Sequence, residues 1–243
     1  MQARATALGV RTVHHAVREI KQGPDLVEVD GQRARYLVAA DGLRSPIRRR
    51  LGLERPPTLP PRFGLRRHYR VAPWTSFVEV HFGEDAEAYV TPVSDREVGV
   101  AFLQRSAATF EATMRGFPLL RERLGSAVEV STVRGAGPFE QRVLRRALRR
   151  TLLVGDAAGY LDPLTGEGVS LALATARAAV ACVVDGRPDT YDERYREATA
   201  RYYRLTRALL FVTGRCGLHR PFLRLSRRLP RVFDAALEYL DGG

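Results

Sequence analysis

Two aspartates stand directly after short apolar runs of the sequence. Asp41 follows residues 36–40, and Asp156 follows residues 152–154 after a single glycine. Open α/β sheets bind ligands beyond the carboxyl ends of their strands, where a carboxylate can accept hydrogen bonds from ribose hydroxyls. The sequence therefore predicts that each carboxylate lies at a ligand-binding edge of a sheet.

The first of these segments reads DGLRSPIR over residues 41–48. Gly42 lets the backbone come close to a ligand. Ser45 suits the N-cap of a helix, and Pro46 suits its first position. A capped helix that follows a turn explains these residues equally well, so the segment by itself leaves both interpretations open.

The second segment reads GDAAGYLDPLTGEGV over residues 155–169 and is more specific. Residues 157–159 are small, so a flat ligand can approach, and Pro163 stiffens the loop. Gly166 and Gly168 leave backbone N–H groups unshielded where the next helix begins, and the helix dipole adds positive potential there. The pattern favours a site for a pyrophosphate, or for a ring that carries developing negative charge, over a plain glycine-rich turn.

Together the two segments resemble the DG and GD fingerprints of FAD-dependent oxidoreductases of the aromatic hydroxylase type. The second segment is most similar to the geranylgeranyl reductase-like branch, which also contains flavin-dependent halogenases. Residues 88–100 resemble the substrate sheet of that branch. The resemblance implies an α/β fold, in which a partial FAD/NAD(P)-binding Rossmann-like domain carries an inserted antiparallel substrate-binding sheet and C-terminal helices.

The resemblance also implies which residues bind FAD. Asp156 is expected at the ribityl or ribose hydroxyls, and Pro163 near the flavin ring. Arg44, Ser45 and Arg48 are expected to position the phosphates or to hold the turn. The full set of implied FAD-binding residues is Asp41, Gly42, Arg44, Ser45, Arg48, Gly155, Asp156, Pro163, Gly166, Gly168 and Val169.

The implied activity is that of a reductase or monooxygenase acting on an apolar small molecule. It would use flavin hydride or flavin hydroperoxide chemistry, with NADH or NADPH as the reductant. A halogenase is disfavoured, because that branch carries W-x-W-x-I-P and Trp74 is the only tryptophan here. No catalytic residue stands out. Candidates for one pocket-lining face of the sheet, with packing as the competing role, are Arg66, Tyr69, Phe77, Glu79, His81, Tyr89 and Thr91.

Family members begin with a βαβ unit that carries G-x-G-x-x-G, and the 243 residues contain no such pattern. A full member of the family is expected to carry about a hundred more residues at its N-terminus than this sequence does. We therefore expect weak or absent FAD binding by this chain alone, and an exposed apolar sheet edge. Whether the chain is itself an enzyme stays open, the alternatives being an inactive fragment or a subunit that needs a separate N-terminal half.

The patterning predicts four regions. Residues 1–55 and 141–186 form the FAD-binding part, residues 56–140 form the substrate sheet with a helix, and residues 187–243 are helical. Strands are predicted at residues 11–19, 25–29, 36–40, 65–71, 77–82, 88–93, 97–103, 127–133 and 152–154. Helices are predicted at residues 107–124 with a break near 116–118, and at 169–184, 190–210 and 221–240.

The net charge of +12 raises the alternative of a nucleic-acid-binding module. Of the 39 basic residues, 38 are arginines spread along the chain and Lys21 is the only lysine. We therefore predict solvated surface charge and no nucleic-acid partner. Membrane contact by the arginine-rich C-terminal helices stays open, although no apolar run reaches the roughly 20 residues of a membrane span.

Cysteine and histidine usage adds little chemistry. Cys182 and Cys216 form no C-x-x-C pair, and the five histidines show no metal-ligand spacing. We predict no metal site, no disulfide framework and, by default, a cytoplasmic location.

Overall fold

The computed structural model describes residues 1–213. Its N-terminal part contains one short helix and a three-stranded antiparallel sheet with the order β1-β2-β3. These elements are α1 (Gln2–Ala7), β1 (Ile20–Gln22), β2 (Val27–Val29) and β3 (Gln32–Ala34).

The strand predicted over residues 11–19 is wrong, since this segment runs as an irregular loop. The carboxylate of Asp30 accepts the backbone N–H groups of Arg18 at 3.0 Å and Glu19 at 2.8 Å. The same carboxylate lies 2.9 Å from His15 Nε2. Because a side chain satisfies these amides, they join no strand ladder.

The next segment contains strand β4 (Leu37–Ala39), helix α2 (Pro46–Arg50) and strand β5 (Glu54–Arg55). The start of α2 confirms the predicted cap. Ser45 Oγ accepts the backbone N–H of Arg48 at 2.9 Å, and proline fills the first helical position.

A six-stranded antiparallel sheet follows, with the order β10-β6-β9-β8-β7 and β11 also paired with β6. Its first four strands confirm the four predicted ones. Of the strand predicted at residues 127–133, only β10 is present; β11 begins just after that range, and the two pair with opposite ends of β6. The elements are β6 (Phe63–Arg70), β7 (Glu79–Phe82), β8 (Ala86–Ser94), β9 (Glu97–Gln104), α3 (Phe110–Met114), α4 (Pro118–Leu124), β10 (Val128–Glu129) and β11 (Arg134–Ala136).

One face of this sheet packs against α3 and α4. Phe102 on β9 lies between Phe110 and Phe117, with ring-centroid distances of 4.7 and 5.4 Å. Pro118 occupies the first position of α4, which accounts for the predicted break between the two helices. We call the opposite face the open face of the sheet.

Three short strands complete the sheets: β12 (Arg142–Val143), β13 (Ala147–Leu148) and β14 (Thr151–Leu153). β12 pairs with β5, while β14 pairs antiparallel with β13 and parallel with β4. Within residues 1–213, no strand pairs with the other edge of β4. Val38 on this strand is exposed.

Two long helices, α5 (Gly168–Val184) and α6 (Tyr191–Thr213), cover the parallel pair. The Tyr191 hydroxyl donates to the backbone oxygen of Leu153 at 2.8 Å, which fastens α6 to β14 in a buried core. None of the helices in residues 1–213 is long and apolar enough to cross a membrane. The helix predicted at residues 221–240 and Cys216 lie outside the described residues.

Candidate functional site

The parallel pairing of β4 and β14 brings the two sequence segments to one sheet edge. Leu153 is in register with Ala39, and the N–H of Val154 donates to the backbone oxygen of Ala39 at 3.0 Å. Because both strands run the same way, Asp41 and Asp156 follow them at the same end. We call this region, residues 41–48 together with 155–168, the motif edge.

Arg48 holds the two halves of the motif edge together. Its side chain is only 1% exposed. The guanidinium donates to the backbone oxygens of Leu43 at 2.8 Å and Ala157 at 3.1 Å, and to Gln141 Oε1 at 2.7 Å. It also lies 3.3 Å from a carboxylate oxygen of Glu54. Of the two roles expected for this arginine, the geometry realises the one that holds the turn.

The other predicted residues of the first segment also bond to protein groups. Asp41 Oδ2 accepts the N–H of Ile47 at 3.0 Å, and the Arg44 guanidinium donates to the backbone oxygen of Gly137 at 3.1 Å. The backbone oxygen of Gly42 accepts the N–H of Ser45 at 3.1 Å. This segment therefore builds a hydrogen-bonded turn in which Asp41 is exposed.

Gly155 and Asp156 form the corresponding turn after β14. Gly155 has φ +55°, and an added Cβ would lie 3.2 Å from the Ala172 side chain, so glycine is required both by the backbone and by the neighbouring helix. Its N–H donates to Thr175 Oγ1 at 3.0 Å. The half-buried Asp156 carboxylate makes no hydrogen bond within residues 1–213, and burial raises its pKa. It is therefore a free acceptor at the sheet edge.

The loop that precedes α5 contains further unused polar groups. Gly166, at φ +72°, ends a short turn that begins at Pro163, and no side chain caps the first amides of α5 at Gly168 and beyond. Thr165 Oγ1 and Glu167 Oε2 are buried without a hydrogen-bond partner in the described residues. Buried polar groups are normally paired. The helix N-terminus suits an anionic part of a ligand, whereas the Glu167 oxygen suits a hydrogen-bond donor.

An apolar pocket of about 270 Å³ lies between the motif edge and the open face of the six-stranded sheet. Pro163 belongs both to the loop of the motif edge and to the pocket wall, so a ligand in the pocket touches that loop. The lining residues are Gly64, Leu65, Arg66, Tyr89, Ala101, Phe102, Leu103, Arg134, Gly135, Ala136, Phe139 and Pro163.

Strand register sorts the seven sheet residues that were candidates for this pocket. Arg66 and Tyr89 line it, and Thr91 lies on the same face beyond it. The prediction was wrong for the other four. Three of them occupy the face covered by α3 and α4, and Phe77 precedes β7 and is 76% exposed. The three on the covered face are Tyr69, Glu79 and His81.

Sequence analysis missed Arg134 and Phe139 as pocket residues. Arg134 lies opposite Arg66 in the pairing of β11 with β6. This pairing involves only three residues of each strand, which is too short to be predicted from the sequence. In residues 1–213, no group of three or more His, Cys, Asp or Glu side chains is arranged to hold a metal ion.

The FAD binding domain family matches residues 10–187. Digeranylgeranylglycerophospholipid reductase of Methanococcus vannielii is 28% identical over 159 residues, covering 58% of this chain and 38% of that protein. Menaquinone reductase of Mycobacterium tuberculosis is 30% identical over 200 residues, covering 73% of this chain and 49% of that protein. The chain thus spans half or less of the length of these relatives.

Among solved structures, the Diels-Alderase PyrE3 of pyrroindomycin biosynthesis superposes with a TM-score of 0.75 at 25% identity. The alignment covers 99% of this chain and 58% of that one. The α/β fold with an antiparallel sheet and C-terminal helices, which the resemblance implied, is confirmed.

Proposed function

The chain belongs to the FAD binding domain family, and we propose that it holds FAD at the motif edge for the reduction of an apolar small molecule in the adjoining pocket. The comparisons support an FAD-dependent oxidoreductase in general. Two curated relatives are named reductases, which favours reduction over the alternative of a monooxygenase. The observation that carries the proposal is Pro163, which joins the motif edge to the pocket wall.

The residues of the motif edge fit FAD. Asp156 offers a free carboxylate to ribityl or ribose hydroxyls, and the uncapped start of α5 at Gly168 and Val169 offers N–H groups to the pyrophosphate or the ring. Thr165 and Glu167 add buried polar atoms that have no other partner in the described residues. When bound, FAD supplies the two-electron redox chemistry, and the protein supplies binding and orientation.

The pocket favours a substrate with an apolar body and an anionic end. Its walls are mainly apolar, but Arg66 and Arg134 are direct cross-strand neighbours at its rim. Neither forms a salt bridge with a carboxylate within residues 1–213, and Arg66 Nη1 lies 3.2 Å from His68 Nε2. Like charges placed directly opposite each other are destabilising. An anionic group bound between the two guanidiniums would relieve that repulsion.

The halogenase alternative gains nothing from the position of Trp74. Its Nε1–H donates to Glu79 Oε2 at 2.8 Å, and the Arg123 guanidinium lies 5.0 Å from its ring centroid. Trp74 therefore packs on the α4 side of the sheet, away from the pocket.

Two further components complete the proposal. NADH or NADPH would act as the reductant. A βαβ segment, in the same protein or in a separate chain, would pair with the open edge of β4 and complete the FAD site. The open edge of β4 supports this pairing, and the exposed Val38 offers a face that the helix of the segment would cover.

Titration with FAD, followed by the absorbance spectrum, tests cofactor binding. We would compare the 243-residue chain alone with the same chain joined to the N-terminal segment of the menaquinone reductase relative. Stoichiometric flavin in the joined protein is expected, and loss of that binding in Asp156→Ala. Absence of flavin from both forms would sink the proposal.

Anaerobic turnover then tests the reaction. The fold does not decide it, because a protein named a Diels-Alderase shares that fold. With NADH or NADPH present, reduction of an unsaturated apolar acid should proceed without dioxygen. A product that gains an oxygen atom, formed only in air, would identify a monooxygenase instead.

A further inference from the structure

Arg62, just before β6, is a buried guanidinium held between two carboxylates. Its Nη2 lies 2.7 Å from Glu87 Oε2, and its Nη1 lies 3.2 Å from Asp162 Oδ2. The three side chains are 10%, 10% and 3% exposed, respectively. Glu87 belongs to β8 of the sheet, whereas Asp162 belongs to the loop of the motif edge. One cation therefore joins the two structures that enclose the pocket.

Each carboxylate is also tied to a residue of the pocket wall. The Tyr89 hydroxyl donates to Glu87 Oε2 at 3.2 Å, and Tyr89 lines the pocket. Asp162 immediately precedes Pro163 and caps its turn, since Asp162 Oδ1 accepts the N–H of Leu164 at 3.0 Å. A shift of either carboxylate would move a wall of the pocket.

We propose that Arg62 is a positioning residue for this pocket, which sets the separation of Pro163 and Tyr89 by holding Asp162 and Glu87 at the same time. The inference deepens the proposed function, on which it rests, by naming what fixes the gap between the motif edge and the substrate sheet. A lysine would not replace Arg62, because a single ammonium lacks the planar fork that reaches two separate carboxylates.

Stability alone does not account for this arrangement. Burial of an ion pair costs as much solvation as the attraction returns, and apolar replacements of buried ion pairs are often neutral or stabilising. Two ionised carboxylates around one guanidinium also leave a net negative charge in the interior. Burial raises the pKa of Asp162 to about 6, against the attraction of Arg62. Other groups whose charge or hydroxyl acts on Asp162 are Glu87, Tyr89, Arg105, Tyr160 and Tyr202.

Arg67 provides a matched control. It lies on β6, the strand that follows Arg62, is half-buried, and also binds two carboxylates, those of Glu111 and Glu129. Its guanidinium carbon lies 4.9 Å from the Phe110 ring centroid, on the face covered by helices. Loss of Arg67 therefore removes an arginine that bridges two carboxylates, here 58% and 53% exposed, without touching the pocket.

The test measures binding of N-phenyl-1-naphthylamine, a neutral apolar fluorophore, to the full 243-residue chain without FAD. Arg62→Met should weaken binding about tenfold, the scale expected when a binding geometry is displaced by a fraction of an ångström. Arg67→Met should stay within about twofold. Ala101→Phe, which fills the pocket, should abolish binding. Equal losses in the two arginine variants, or binding that survives Ala101→Phe, would overturn the proposal.

A pH series gives a readout that a purely structural role would not move. Affinity of the wild-type chain should fall as the pH drops below about 6, where Asp162 takes up a proton and releases Arg62. Asp162→Asn should bind the probe with no such pH dependence, and this arm decides the question even if Arg62→Met fails to fold. A pH profile shared by wild type and Asp162→Asn would refute the inference. Because the probe assay needs no flavin, its failure is distinct from failure of FAD binding.

Discussion

Two buried arginines illustrate how differently the motif edge and the six-stranded sheet use charge. Arg48, at the motif edge, donates mainly to backbone oxygens and an amide oxygen, none of which titrates. Arg62, at the sheet, faces the titratable carboxylates of Glu87 and Asp162. The motif edge is therefore held mainly by contacts that do not titrate, with Glu54 as the titratable exception at Arg48, whereas the junction between sheet and loop, formed by Arg62, Glu87 and Asp162, depends on protonation.

The largest expected effect follows from removing Arg48. In Arg48→Met, the buried backbone oxygen of Ala157 and the partly buried oxygens of Leu43 and Gln141 lose their donor, so the free energy of unfolding should fall by about 3 kcal/mol. Urea denaturation measures this loss. The exposed neighbour Arg49 serves as the control, since Arg49→Met should change stability by less than about 0.5 kcal/mol. A similar decrease in the free energy of unfolding of both variants would show that Arg48 does not hold the two segments of the motif edge together.

The stability contributed by the junction, unlike that contributed by Arg48, should depend on pH. The pKa of Asp162 is raised to about 6, so the folded state binds this proton more tightly than the unfolded chain does. Its contribution to the free energy of unfolding therefore increases as the pH falls from 7 towards 4, by at most about 3 kcal/mol. Asp162→Asn should lack that increase. Urea titrations of both proteins at pH 7 and pH 5 compare the slopes, and parallel slopes would contradict the assignment.

Asp30 sharpens this contrast, because its pKa moves the other way. The amides of Arg18 and Glu19 lower the pKa of Asp30, so its stabilising effect is present at neutral pH and is lost as the pH falls through that lowered value. Between pH 7 and pH 5, Asp30 stays ionised. The difference between wild type and Asp162→Asn in that window therefore reports on the junction.

A smaller effect is expected from Asp156, the free carboxylate of the motif edge. Asp156→Asn keeps the shape of the side chain but removes the charge and weakens hydrogen bonds to ligand hydroxyls. In the joined protein described above, FAD affinity should fall about tenfold, the equivalent of losing one charge-assisted hydrogen bond. Stability in urea without FAD should not decrease, since the carboxylate has no hydrogen-bond partner in residues 1–213. Unchanged FAD affinity would remove Asp156 from the cofactor site.

How far the sequence predicted this structure differs between the same two regions. At the motif edge, residue types fix the local geometry, so β4, β14 and the starts of α2 and α5 fall within one or two residues of their predicted positions. In the sheet, the strands were predictable but the facing of their side chains was not. Tyr69, Glu79 and His81 face the helices because of strand register, which local patterning does not specify.

The junction was invisible for a related reason. Arg62, Glu87 and Asp162 are far apart in the sequence, and each is an ordinary charged residue in an arginine-rich chain. Only the packing of the sheet against the motif loop buries them together. The strand predicted at residues 11–19 failed through another long-range contact, the Asp30 carboxylate that occupies its amides.

The smallest predicted effect concerns Arg66 and Arg134 at the pocket rim, which have no carboxylate partner within residues 1–213, unlike Arg62. Arg66 and Arg134 are solvent-accessible, so each should contribute only about 0.5–1 kcal/mol to binding of an anionic group. The measurement is the preference of the pocket for dodecanoate over dodecanol, by competition with N-phenyl-1-naphthylamine. Arg134→Gln and Arg66→Gln should each lower that preference about threefold and leave dodecanol binding unchanged.

The control is Arg70→Gln, at the far end of the same β6 strand, which should alter neither the preference nor dodecanol binding. Since exposed charges are screened by salt, the preference should also shrink as ionic strength rises. A preference that ignores both salt and these substitutions would mean that the pocket recognises apolar shape alone.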